Sequence, residues 1–153
     1  MLQRDFIMRQ IQQGIQAIID AIHHRRADDP DLACESIEAM LGSVSEMDPA
    51  VLLALSPESI GTILDLGGAM SDSTAEVVVR GLVLESDILR TEKNDPALAQ
   101  LRFEQARGIA QTFHLEFDEI CDVVDEAGAR QILEDARAEA EGVRYEDGQG
   151  AEA

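Results

Sequence analysis

The sequence predicts an all-α protein built from stacked helical hairpins, and three observations carry that reading. Apolar residues recur at the three- and four-residue spacing of helices and nowhere alternate in strand-like runs. All four prolines follow a capping residue, as Asp29-Pro30, Asp48-Pro49, Ser56-Pro57 and Asp95-Pro96, so each starts a helix rather than breaking one. Aromatic residues make up only 3% of the chain, leaving a core of Leu, Ile, Val, Ala and Met in which the helix formers Ala and Leu are prominent.

Taken in order, the first helix spans about Leu2 to Arg26. Ile7, Ile11, Ile15, Ile18 and Ile22 form one stripe, flanked by Met8 and Ile19, with Asp5, Arg9, Gln12, Gln16 and Asp20 opposite. Asp29-Pro30 opens a second helix through Leu32, Ala33, Ile37, Met40 and Leu41, expected to stop at Gly42. Asp48-Pro49 opens a short segment, Val51 to Leu55. Ser56, as a cap, opens another that carries Ile60, Ile63 and Leu64 and closes at Gly67-Gly68.

Ser73-Thr74-Ala75-Glu76 reads as a capping box leading into a helix of about twenty residues. That helix carries Val77, Val78, Leu82, Leu84, Ile88 and Leu89 and ends near Asn94, which tolerates the left-handed conformation of a C-cap. Asp95-Pro96 starts a helix to about Phe113 with two apolar faces: Ala99, Phe103, Ala106, Ala110 and Phe113 on one, Leu98, Leu101 and Ile109 on the other. A helix apolar on two sides is packed between neighbours. A further helix is expected at about Glu116 to Ala127, interrupted by Gly128, then a charged helix from Ala129 to Glu141. The domain is thus read as residues 1–142, with 143–153 a disordered acidic tail that has nothing to bury.

The formal charge of −19 comes from 31 acidic and 12 basic residues. Such a surface is repelled by nucleic acid, where a duplex carries one negative charge per about 1.7 Å, and by anionic membranes. Its ordinary role is solubility. The opening MLQRDFIMRQIQ places charges where a leader needs an apolar run, and no segment approaches the roughly 20 apolar residues that span a bilayer. The expectation is a cytoplasmic protein with Cys34 and Cys121 as buried thiols.

Two resemblances sharpen this. Ala99, Phe103 and Ala106 match the small, aromatic, small pattern in the second helix of a tetratricopeptide repeat, with Asn94 at its turn glycine. The hairpin at about 75–113 departs from the pattern at Asp87, where Gly or Ala is expected, and at Arg90, where Tyr is expected. The resemblance implies a tetratricopeptide-like stack or a right-handed α-α superhelix, although a free-standing array needs about three repeats. The opening LQRDFIMRQI resembles that of an uncharacterised bacterial family, mostly Gram-positive, whose members begin with a D-[FW]-[IL]-M-R-x-I helix. That resemblance implies a helical, intracellular bacterial protein and carries over no chemistry.

Catalytic signatures are absent: there is no GxSxG, no phosphate-cradling glycine loop and no HExxH. His23 and His24 are adjacent, so their rings diverge by about 100° on a helix and suit the helix C-terminus better than a shared metal. His114, Asp118 and Cys121 would share a face only on an unbroken helix. Asp28, Asp29 and Asp31 lack the glycine and distal glutamate of a calcium loop. No cofactor or metal is therefore expected.

The function expected is non-catalytic: a scaffold that binds another protein or itself, with Asp5, Phe6, Arg9 and Gln13 as the candidate surface and a homodimer as the self-associated form. Phe6 carries this reading, because it lies off the isoleucine stripe on the side of Gln10, Gln13 and Ala17. The competing expectation is a small-molecule or metal-binding enzyme with a site assembled from scattered acids such as Glu35, Glu85 and Glu104.

Overall fold

A computed structural model describes the backbone of residues 2–68 and 70–152, and the side chains of residues 4–66, 68 and 70–142. Among the described residues there are eight α-helices, a single 3₁₀ turn at Leu66–Gly68 and no strand, so the chain is all-α. The helices are α1 Leu2–Arg26, α2 Pro30–Ser45, α3 Pro49–Leu53, α4 Pro57–Asp65, α5 Asp72–Thr91, α6 Pro96–Thr112, α7 Phe117–Ile120 and α8 Glu126–Glu152.

The caps largely follow the sequence grammar. Asp29, Asp48 and Asp95 accept hydrogen bonds from the backbone N–H groups of Leu32, Ala50 and Leu98, each beside a first-turn proline. Ser56 holds the cap position of α4, but its hydroxyl donates to Ser59 Oγ instead. Asn94 has φ +52°, the left-handed turn expected after α5.

Four expectations are corrected. α2 runs on past Gly42 because Val44 is buried and draws one more turn into the core; it ends at Glu46, φ +58°. α5 is capped by Ser71, whose Oγ accepts from Thr74 N, not by Ser73; Glu76 pairs with Arg80 instead. The helix expected at 116–127 is one turn, Phe117–Ile120. Gly128 does not interrupt the last helix: its N–H reaches Asp125 Oδ1 at 2.7 Å and so forms part of the α8 start. The backbone of α8 is helical to Glu152, and the side chains of the tail expected at 143–153 lie outside the described residues.

Consecutive helices pair in opposite directions. Ser86 bonds the Ala99 carbonyl and Glu85 meets Arg102, so α5 and α6 run antiparallel. Gln10 reaches the Val44 carbonyl while Gly14 lies against Met40, which sets α1 antiparallel to α2. α5 sits at the centre, against α1, α2 and α6, and buries residues all round, among them Val78, Leu82, Leu84 and Ile88. α6 is held between α5 and α4, as its two apolar faces require, with Ala99, Ala106, Ile109 and Ala110 fully buried. At the α4 contact a Cβ on Gly108 would stand 2.0 Å from the Pro57 carbonyl oxygen, so only glycine lets these backbones meet. The isoleucine stripe of α1 is buried from Ile11 to Ile22, and Ile7 and Met8 are partly covered.

Candidate functional site

The four surface residues singled out from the sequence all lie on α1 and are not gathered into one groove. Asp5, Phe6, Arg9 and Gln13 are all exposed, with Phe6 44% exposed. Asp5 and Arg9 line a groove of about 460 Å³ between α1 and α8, facing Arg137 and Glu141. Gln13 lines a different groove of about 430 Å³, between α1 and α2. Gln10, expected on the open side with Phe6, is instead buried. Its amide donates to the Val44 carbonyl and accepts from the Thr74 hydroxyl, closing the junction of α1, α2 and α5.

The scattered acids do not converge either. Glu35 is exposed on α2, and Glu104 is tied to Gln100 at 2.7 Å and Arg107 at 3.3 Å. Glu85 is the exception in kind: 1% exposed, with one carboxylate oxygen 2.6 Å from Arg102 Nε and the other without a hydrogen bond. Burial and the neighbouring Glu38 carboxylate push its pKa up to about 8, against the opposing pull of Arg102. Arg102 and Gln105 continue the network to the Leu53 and Leu55 carbonyls, tying the α3–α4 connection to α6. Both polar side chains are committed to structure, so this node is a brace. Glu35, Glu85 and Glu104 line neither of the two grooves.

The cysteines and histidines are likewise dispersed. Cys34 is buried, and burial together with Glu85 pushes its thiol up to about 12, which keeps it protonated. Cys121 is only partly buried, contrary to expectation, and both cysteines are free. His114 stands at φ +57° in the turn after α6, and α7 starts only at Phe117, so His114, Asp118 and Cys121 lie on no common helix face. His23 Nε2 lies 2.5 Å from Glu126 Oε1 on α8. Among the described residues no group of three His, Cys, Asp or Glu side chains could hold a metal ion.

An apolar concavity escaped notice in the sequence. Where α2 gives way to α3, and α4 runs into the 3₁₀ turn, Val44, Met47, Ile63, Leu64, Leu66 and Met70 line a groove of about 420 Å³. Its elements meet there because Glu46 and Gly68, at φ +58° and +65°, turn the chain at the two rims. No lining residue is charged. Leu66 is 66% exposed, the highest value among the exposed large hydrophobic residues. In the sequence, Leu66 is masked by its place between Asp65 and the Gly67-Gly68 stop, where it reads as the end of a helical stripe. No helix among the described residues is long and apolar enough to cross a membrane. In comparison with known proteins, no family model matches the chain, and neither a curated protein nor a solved structure shows significant similarity to it.

Proposed function

We propose that this chain is a non-catalytic helical scaffold that works by docking another polypeptide, with the groove between the end of α2 and the end of α4 as its contact surface. The observation that carries this reading is Leu66, a large aliphatic side chain left two-thirds exposed on the lip of an uncharged concavity. Scattered apolar side chains on a surface are ordinary; one that borders an apolar groove is what a binding surface requires. The α5–α6 pair supports a repeat-like scaffold beneath it, since the small residues Ala99 and Ala106 are fully buried, as in a tetratricopeptide-like hairpin.

Photo-crosslinking tests the proposal. A crosslinking residue at position 66 should give a discrete protein adduct in cells, while one at exposed position 134 on α8 gives only background. Equal labelling at the two positions would contradict it.

A second reading rests on Phe6. An aromatic ring 44% exposed near the start of α1 suits self-association, and most soluble homo-oligomers are two-fold dimers. Phe6→Glu should then turn a dimer into a folded monomer in light scattering; a wild-type monomer at high micromolar concentration excludes this reading.

A further inference from the structure

Between Arg26 and Arg80 the chain carries eleven Asp and Glu residues and not one Lys, Arg or His. That stretch forms α2, α3, α4, the 3₁₀ turn and the start of α5, and it contains every residue that lines the apolar groove. The acids are interleaved with the lining: Glu46 stands between Ser45 and Met47, and Asp65 between Leu64 and Leu66, both exposed. Asp48 and Asp72, one and two residues beyond Met47 and Met70, are exposed as well. All 12 basic residues lie elsewhere in the sequence, in the first 26 residues or from Arg80 onward. The groove is therefore lined by uncharged side chains, and the chain segments that build it carry acidic but no basic residues.

We infer that the occupant of this groove is a basic amphipathic segment of a partner protein, presenting large apolar side chains flanked by Lys or Arg. The inference rests on the docking proposal above and adds the chemistry of the partner. An apolar floor selects a face with residues at helical spacing, the helix-in-groove mode of recognition. The acidity of the surrounding segments selects positive charge on either side of that face and speeds encounter at ordinary ionic strength, where screening acts over about 8 Å. Two of the five methionines of the chain, Met47 and Met70, belong to the lining. Methionine is unbranched and polarisable, so it adapts to side chains of differing shape and suits a surface that takes a class of sequences. A second copy of the chain fits less well, because it brings its own net −19 toward segments that are already negative.

The test uses the full chain and three labelled peptides of about 18 residues, five turns of helix. One is a Leu/Lys amphipathic helix; one keeps Lys but replaces Leu by Ser; one keeps Leu but replaces Lys by Glu. In fluorescence anisotropy the Leu/Lys peptide should bind, and each of the other two should bind at least about tenfold more weakly. Leu66→Gln should weaken the Leu/Lys peptide by about tenfold with helical content unchanged. Val51→Gln, an exposed apolar position outside the lining, should leave it unaffected. Glu46→Gln with Asp65→Asn should weaken binding and flatten its salt dependence. Ser/Lys binding as tight as Leu/Lys would overturn the inference, as unspecific attraction to a polyanion. So would tight binding of the Leu/Glu peptide, or indifference to Leu66→Gln. If the chain is a dimer that Leu66→Gln dissociates, a second copy is the occupant and the inference falls. If no peptide binds while position 66 still crosslinks to a protein, the partner chemistry is wrong and the docking reading stands; if both fail, both are wrong.

Discussion

α5 and α8 are both long helices, and they are held in opposite ways. α5 is buried on nearly every side and is tied to α6 by a buried contact, Glu85 with Arg102. α8 presents one face to α1, buries Ala129 with Ile132, Leu133 and Ala136 only partly covered, and is pinned at its start by charge. There His23, Arg26 and Arg130 gather around Glu126, which His23 first and Arg130 second hold below the usual carboxylate range. The centre of the molecule thus depends on exclusion of water, while its flank depends on contacts that solvent and salt can reach. Substitutions should separate the two.

The largest effect is expected at the buried contact. Arg102→Ala removes the donor to Glu85 and those to Gln105 and the Leu53 carbonyl, so it should cost about 3–5 kcal/mol in denaturant unfolding above about pH 8, where Glu85 would be left charged and unpaired. The loss should be greatest at alkaline pH, where Glu85 is ionised. The folded protein holds the Glu85 proton to about pH 8, whereas the unfolded chain releases it near 4.5. Its stabilising contribution is therefore complete below about 4.5 and is lost as pH rises through 8. Glu85→Gln should flatten that part of the pH profile; an unchanged profile would mean that Glu85 is not the titrating group.

Next comes packing against α5. Ala106 is fully buried, so Ala106→Leu should overpack the contact and cost about 1–3 kcal/mol. Ala138→Leu, on the exposed side of α8, should change stability by less than about 0.5 kcal/mol. Equal costs would erase the distinction between the two helices.

The smallest effects are ionic. Glu126→Gln should shift the melting temperature only slightly, and the shift should vanish in high salt. For the whole chain, salt should raise the melting temperature between low and physiological ionic strength, because a net charge of −19 repels itself. A falling curve would show that pairs such as Arg25 with Asp87 and Glu92 outweigh the net charge.

Much of this architecture was legible in the sequence, for local physical reasons. Asp-Pro caps and helical stripes act within one or two turns, so α1, α3, α4 and α6 begin where the residues say they should. Tertiary burial is not local: it extended α2 past Gly42 to cover Val44, and it drew Gln10 inward to satisfy the Val44 carbonyl. Asp87 and Arg90 marked departures from the repeat pattern, and Asp87 proves to bind Arg25 across to α1. The groove was invisible because its lining comes from α2, α4 and the turns after them, each read as an ordinary helix end. The base-free run between Arg26 and Arg80, by contrast, is visible in the sequence alone.

The central claim is that the lip of the groove serves binding rather than folding, and paired melts of Leu66→Ala and Leu64→Ala test it most directly. Both leucines line the groove, but Leu64 is 6% exposed and belongs to the core, whereas Leu66 is 66% exposed. Leu64→Ala should cost about 2–5 kcal/mol. Leu66→Ala should stay within about 0.5 kcal/mol of the parent. A Leu66→Ala variant as unstable as Leu64→Ala would show that Leu66 holds the fold together, and the groove would lose its claim to be a docking surface.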